Sequence, residues 1–89
     1  MVKKMVTIKN KSGLHARPAA VFMEKAQEFA SQIYLARPGE EPVNGKSILG
    51  ILTLGVEKGS TIEIAAEGPD AEEAVAALAD LVESFEADL

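Results

Sequence analysis

Hydrophobic positions change their period several times along this chain, and each change marks an element. Val6 and Ile8 alternate with Thr7 and Lys9, a period of two that predicts a half-buried strand. Asn10 to Leu14 breaks the alternation, with Ser12-Gly13 as a turn signal. A helical period follows, from Arg17 or Pro18 to about Ala30. It puts Ala19, Phe22, Met23, Ala26, Phe29 and Ala30 on one face, with Glu24, Lys25, Gln27 and Glu28 elsewhere. Ile33 and Leu35 then alternate with Gln32 and Tyr34 as a second strand. Arg37-Pro38-Gly39-Glu40-Glu41 reads as a turn. Pro42-Val43-Asn44 reads as a short strand, with a proline that suits a sheet edge. Ser47 to Leu54 reads as a short helix capped by Ser47. Gly55 and Gly59 punctuate a turn before Ile62, Ile64 and Ala66 alternate with Thr61, Glu63 and Glu67. Ala71, Ala74, Val75, Leu78, Leu81, Val82 and Phe85 recur at helical spacing to about Glu86. Asp70 is expected to cap this last helix, with Glu73 completing a D-x-x-E capping box.

The element order is βαββαβα. Strands with one apolar and one polar face call for an α+β fold: a four-stranded antiparallel sheet with three helices on one face and solvent on the other. Pattern alone leaves the strand order open, and a ferredoxin-like arrangement fits as well. A chain of 89 residues is expected to form one domain, 1–89, with a modest core.

Composition narrows the class. With 47% hydrophobic and 26% charged residues, the chain reads as globular rather than disordered. The absence of cysteine excludes disulfides and thiolate chemistry. A net charge of −5 argues against nonspecific nucleic-acid binding. The charge is uneven: Lys3, Lys4, Lys9, Lys11 and Arg17 lie early, and Glu72, Glu73, Asp80, Glu83, Glu86 and Asp88 lie late. The acidic end reads as a solvated face, and the basic region suits an acidic partner surface. No apolar stretch approaches a membrane span, and the lysines between Val2 and Lys11 are unlike a signal peptide. The expectation is a cytoplasmic protein with no membrane insertion.

The chemistry concentrates in Gly13-Leu14-His15-Ala16-Arg17-Pro18-Ala19-Ala20, which holds the only histidine. Proline fits the first turn of a helix, where its missing N–H has no intrahelical partner, so His15 sits at or just before a helix start. Helix N-termini offer free amides and partial positive charge to an anion. Neutral imidazole is a nucleophile, the amides can hold the oxyanion group it acquires, and Arg17 can clamp that group with its fork of donors. Transient phosphorylation of His15 is the simplest chemistry for this trio, within a phosphate loop that includes Ser12, Ala16 and Pro18. Ser12 serves either as a hydrogen-bond donor there or as a plain turn residue. No second histidine or cysteine completes a metal site, no triad converges on the loop, and no cofactor is implied. A hydrolase is the least supported reading, because no water-activating base lies near His15 in sequence.

A second cluster lies on the short helix. Ile51 and Leu54 share its inner face, and Leu49 and Leu52 point outward, with Ile48 between. One short helix does not bury every apolar side chain it carries, and an exposed apolar patch beside the loop is a docking surface. Leu49 and Leu52 are assigned to it, Ile48 a mixed role, and Ala20 its border. The Met and Phe stripe of the first helix is core. Ser47 is explained by capping alone. Phosphorylation there would add about two negative charges beside the patch and repel an acidic partner without unfolding the helix.

The segment Ser12-Gly13-Leu14-His15-Ala16-Arg17-Pro18-Ala19 resembles the active-centre loop of the HPr family, phosphocarriers of the phosphoenolpyruvate-dependent sugar phosphotransferase system. Gly45-Lys46-Ser47-Ile48-Leu49-Gly50-Ile51-Leu52-Thr53-Leu54-Gly55 resembles that family's regulatory-serine region. The separation of the motifs and the chain length match too, so the resemblance covers essentially the whole chain. It implies an open-faced β-sandwich with strand order 1-4-2-3, and a carrier without turnover of its own, expected to be a monomer. It implies His15 Nδ1 as the phosphorylated atom, Enzyme I as donor and sugar-specific Enzyme IIA domains as acceptors. It also implies modification of Ser47 by an ATP-dependent serine kinase/phosphorylase, and recognition of the phosphoserine form by a catabolite-control transcription factor. Two departures stand out: the turn Pro38 to Pro42 is one residue longer than the family pattern, and Gly45 stands where a larger residue is expected. The alternatives are a regulatory binding module on the same fold and a nitrogen-branch phosphocarrier. The presence of His15 weighs against the first, and only the Enzyme I partner separates the second.

Overall fold

The alternating segments pair into an antiparallel sheet. A computed structural model describes residues 1–9 and 13–85. In chain order these form β1 (Val2–Thr7), α1 (Ala16–Ala26), β2 (Gln32–Ala36), β3 (Val43–Asn44), α2 (Ile48–Thr53), β4 (Thr61–Glu67) and α3 (Ala71–Glu83). The strand order is β1-β4-β2-β3, all pairs antiparallel, which is the open-faced sandwich rather than a ferredoxin-like sheet.

Register decides which face is buried. Val6 pairs with Ile62, and Leu35 with Ile64, so the apolar set of each strand falls on one side. The helices cover that side: α3 packs on β1 and β4, and α1 packs on α2 and α3. Phe22, Ile33, Leu35, Ile51, Ile62, Ile64, Leu78 and Val82 are sealed between the layers. The opposite face carries Lys3, Met5, Tyr34 and Glu63 toward solvent. Pro42 lies just outside β3, at the sheet edge, where a missing N–H breaks no ladder. Among the described residues no helix is long and apolar enough to cross a membrane.

Helix α1 differs from its predicted span at both ends. It starts at Ala16, before Arg17, and stops at Ala26 rather than Ala30. The chain tightens there, with Glu28 N–H donating to Lys25 O (3.1 Å) and Phe29 N–H to Ala26 O (3.2 Å), an i→i−3 pattern that ends a helix. Phe29 still packs against the core, half-buried, as does Met23, whereas Ala30 is exposed and leaves the predicted stripe. Helix α3 runs to Glu83, with Phe85 buried just beyond it; the predicted end at Glu86 lies outside the described residues.

Asp70 corrects a second expectation. It is the N-cap residue of α3, yet its side chain makes no capping bond, and the capping box with Glu73 is not formed. Its carboxylate reaches across to the end of the α1–β2 connection instead. Oδ2 accepts from Ala30 N–H (2.8 Å), and Oδ1 accepts from Ser31 N–H (2.9 Å) and from the Ser31 hydroxyl. The Asp70 N–H donates in return to Ser31 Oγ (3.2 Å), the partner a capping Glu73 would have supplied. The reason is burial. Ser31 is 1% exposed, so its donors have no water to turn to, while Glu72 and Glu73 in the first turn of α3 are exposed.

Gly45, the family departure, is explained by Ile33. Gly45 is buried, and a Cβ there would stand 2.7 Å from Ile33 Cγ2, so Ile33 already occupies the space a larger residue would need.

The Ser31 hydroxyl first, and then the Ala30 amide, hold the Asp70 carboxyl below its ordinary value of 3.8. A carboxyl depressed on folding contributes stability that is present above its unfolded pKa and is lost as pH falls through the folded one. The stability difference between wild type and Asp70→Asn, from denaturant unfolding, is therefore expected to hold constant at neutral pH and to shrink below about pH 4. A difference independent of pH would show that the carboxylate is not held by these donors.

Candidate functional site

His15 is the N-cap residue of α1, in extended backbone (φ −82°, ψ −167°). Its carbonyl accepts the Ala19 N–H at 2.9 Å, which starts the helix. Its imidazole makes no capping bond, so the ring does not occupy the helix's own first amides. The first turn carries no acidic side chain to repel an anion. Pro18 is the third helical residue and is buried, still within the turn whose N–H groups have no intrahelical acceptor. Arg17 is exposed, and the one ion pair among the described residues joins Lys25 to Glu28, so no carboxylate there engages the Arg17 guanidinium.

The loop before His15 is seated on the segment after α2. Leu14 N–H donates to Val56 O (3.1 Å), and the Leu14 side chain is buried. Gly13 has φ +63°, and a Cβ there would lie 2.1 Å from Val56 O and 2.8 Å from Glu57 Cα. Only a residue without a side chain fits this approach. Ser12, together with Asn10 and Lys11, lies outside the described residues.

Helix α2 lies beside α1. Ser47 caps it: Oγ accepts from Gly50 N–H at 3.2 Å. Ile51 and Leu54 face the core, Leu49 is 73% exposed and Leu52 38% exposed, while Ile48 packs against the core half-buried. Ala20 is half-buried. One more apolar side chain is exposed here: Val21 follows Arg17 by one turn of α1, and its position outside the core stripe is the sequence signal that identifies it. Two further residues have no such signal. Lys46 Nζ donates to Phe29 O (2.7 Å), and Arg37, read from sequence as a turn residue, donates from Nε to Leu54 O (2.8 Å) and from Nη2 to Gly55 O (2.7 Å). Partners 17 residues apart leave no local pattern. Among the described residues no group of three or more His, Cys, Asp or Glu side chains is placed to hold a metal.

A family model described as "PTS HPr component phosphorylation site" matches residues 2–84. This chain belongs to the HPr family. The phosphocarrier protein HPr of Borreliella burgdorferi is 46% identical over 85 residues, 96% of this chain and 98% of that protein. The HPr-like protein Crh of Halalkalibacterium halodurans is also 46% identical, over 83 residues, 93% of this chain and 98% of its own length. Among solved structures, HPr-C-His from Thermoanaerobacter tengcongensis superposes with a TM-score of 0.90 at 50% identity, covering 97% of this chain and 96% of that one. The chain is thus an HPr-family phosphocarrier protein and not a catalytic enzyme, with relatives on both the HPr and the Crh side.

Gly13→Ala tests the seating of the loop. The left-handed φ and the contact with Val56 O together are expected to cost about 1–3 kcal/mol in denaturant unfolding, with shifted NMR resonances for the Leu14 amide and the His15 ring. Wild-type stability and spectra in the variant would contradict the seat.

Proposed function

We propose that this chain accepts a phosphoryl group from Enzyme I on His15 Nδ1 and passes it to sugar-specific Enzyme IIA domains during sugar uptake. The observation that carries this reading is a histidine ring at the N-cap of α1 that is not spent on the helix, with an exposed arginine two residues on. The Nδ1 lone pair attacks phosphorus, a P–N bond forms, and the bond to the donor breaks with its electron pair. The first-turn amides of Ala16 and Arg17, and the Arg17 guanidinium, stabilise the phosphoryl oxygens. Water-accessible placement keeps that hold weak enough for onward transfer, by the same step run toward the acceptor. Residues 1–89 act as one domain and a monomer in the cytoplasm, and need no cofactor.

Leu49 and Leu52, with Ile48 and Ala20 at the margin, supply the apolar contact for both partners. Ser47 is the regulatory position: a phosphate there stays compatible with the helix start but sets negative charge against an acidic partner. A serine kinase/phosphorylase and a catabolite-control transcription factor are the partners of that form. The Crh relatives favour a second reading, a regulatory protein acting through Ser47, and His15 favours the carrier. A nitrogen-branch carrier is separated from this reading by its Enzyme I partner.

With labelled phosphoenolpyruvate and Enzyme I, the wild type is expected to gain acid-labile label. His15→Ala should gain none while keeping its fold, and Arg17→Ala should be labelled more slowly. Undiminished label in His15→Ala would remove the assignment.

Ser47→Asp keeps a good N-cap and should unfold like wild type, yet be phosphorylated more slowly by Enzyme I. Ser47→Ala should lose about 1 kcal/mol of stability and react at nearly the wild-type rate. Equal rates for Ser47→Asp and wild type would leave Ser47 as a cap alone.

A further inference from the structure

Arg37 directly follows β2 and lies far from His15 in sequence, but its contacts lead there. Arg37 is half-buried, and two donors of its guanidinium engage two successive carbonyls, Leu54 O at 2.8 Å and Gly55 O at 2.7 Å. These carbonyls sit where α2 turns out of its helix. Leu54 is the C-cap, and Gly55 reverses the chain with φ +60°. The next residue, Val56, is buried, and its carbonyl is the acceptor for Leu14 N–H. Each link in the series Arg37, Leu54–Gly55, Val56, Leu14 is a hydrogen bond or a peptide bond, and His15 is the residue after Leu14.

We propose that Arg37 is a positioning residue that holds the end of α2 and the acceptor loop in one fixed relation, so that a partner meets Leu52 and His15 in register. This inference rests on the phosphocarrier reading above. A guanidinium suits the task because its planar donors are pre-set to span two carbonyls, whereas a lysine ammonium is a single point of donation. Without the clamp, the segment from Leu54 to Val56 has to be ordered when the partner binds, and ordering at an interface weakens association. The reacting groups themselves are untouched, so the effect falls on KM rather than on kcat.

The test compares Arg37→Met, Arg37→Lys and Asp70→Ala, the last a destabilised control at the opposite end of α1 from His15. Phosphorylation by Enzyme I is measured at several concentrations of this chain, at a temperature where every variant is folded. Exchange of the Leu14 amide is followed by NMR. Arg37→Met is expected to raise KM about threefold to tenfold, with kcat within about twofold of wild type and faster Leu14 exchange. Arg37→Lys should lie between, and it carries the test should Arg37→Met fail to fold. Asp70→Ala should lose stability and keep wild-type KM. An unchanged KM in a folded, destabilised Arg37→Met would reduce Arg37 to a stabilising contact and overturn the proposal. So would a loss confined to kcat. If wild type itself is not phosphorylated, the phosphocarrier reading fails separately, and unchanged Leu14 exchange in Arg37→Met would then sink the positioning claim by itself.

Discussion

The backbone of Gly13 and Leu14 lies directly against Val56 and Glu57, with no room for a side chain at Gly13. This one contact determines where His15 stands. Leu14 gives its N–H to Val56 and its side chain to the core, and the next residue has to open α1 from that fixed point. The start of α1, the outward side of α2 and the chain reversal at Gly55 therefore form one corner of the molecule, although they come from two separate stretches of sequence. The functional reading depends on that corner more than on the sheet, which serves as the rigid floor beneath it.

The two ends of α1 are treated in opposite ways. Its N-terminal end carries a half-buried histidine whose ring makes no capping bond, next to an exposed arginine. Beyond its C-terminal end, the connection to β2 is tied down by the Asp70 carboxylate, which takes up the Ala30 and Ser31 amides and the buried Ser31 hydroxyl. An anion-accepting helix end needs unspent amides, and the lock beyond the other end consumes none of them. The same aspartate at the head of α3 gives up its own helix cap to form that lock, at a turn where Glu72 and Glu73 are exposed.

Local patterns carried much of this structure. The alternation at Ile62, Ile64 and Ala66 and the helical spacing from Ala71 to Phe85 read directly into β4 and α3, because burial of one face imposes the period. Ser47 as N-cap and the inward Ile51 with outward Leu49 were legible for the same reason. Strand order was not, since amphipathic strands of similar length pair in more than one order, and the family resemblance supplied it. The end of α1 was misread because Phe29 is apolar and falls on the helical period, while a tertiary contact with Asp70 claims the next amides. Asp70 itself was misassigned because D-x-x-E has a local meaning, and the buried Ser31 that outcompetes it is 39 residues away. Arg37 and Lys46 fall in the same class: their acceptors are backbone carbonyls, which carry no sequence signature.

The proposed transfer falls on a single atom, Nδ1 of the chain's only histidine. That uniqueness makes the central claim directly readable. With ¹⁵N-labelled histidine in the chain, treated with phosphoenolpyruvate and Enzyme I, NMR is expected to show one pair of ring signals in which Nδ1 alone shifts and gains a one-bond coupling to phosphorus. Phosphorus found on Nε2 would contradict the assignment of the atom. A phosphorylated chain whose ring signals stay unchanged would contradict the role of His15 altogether.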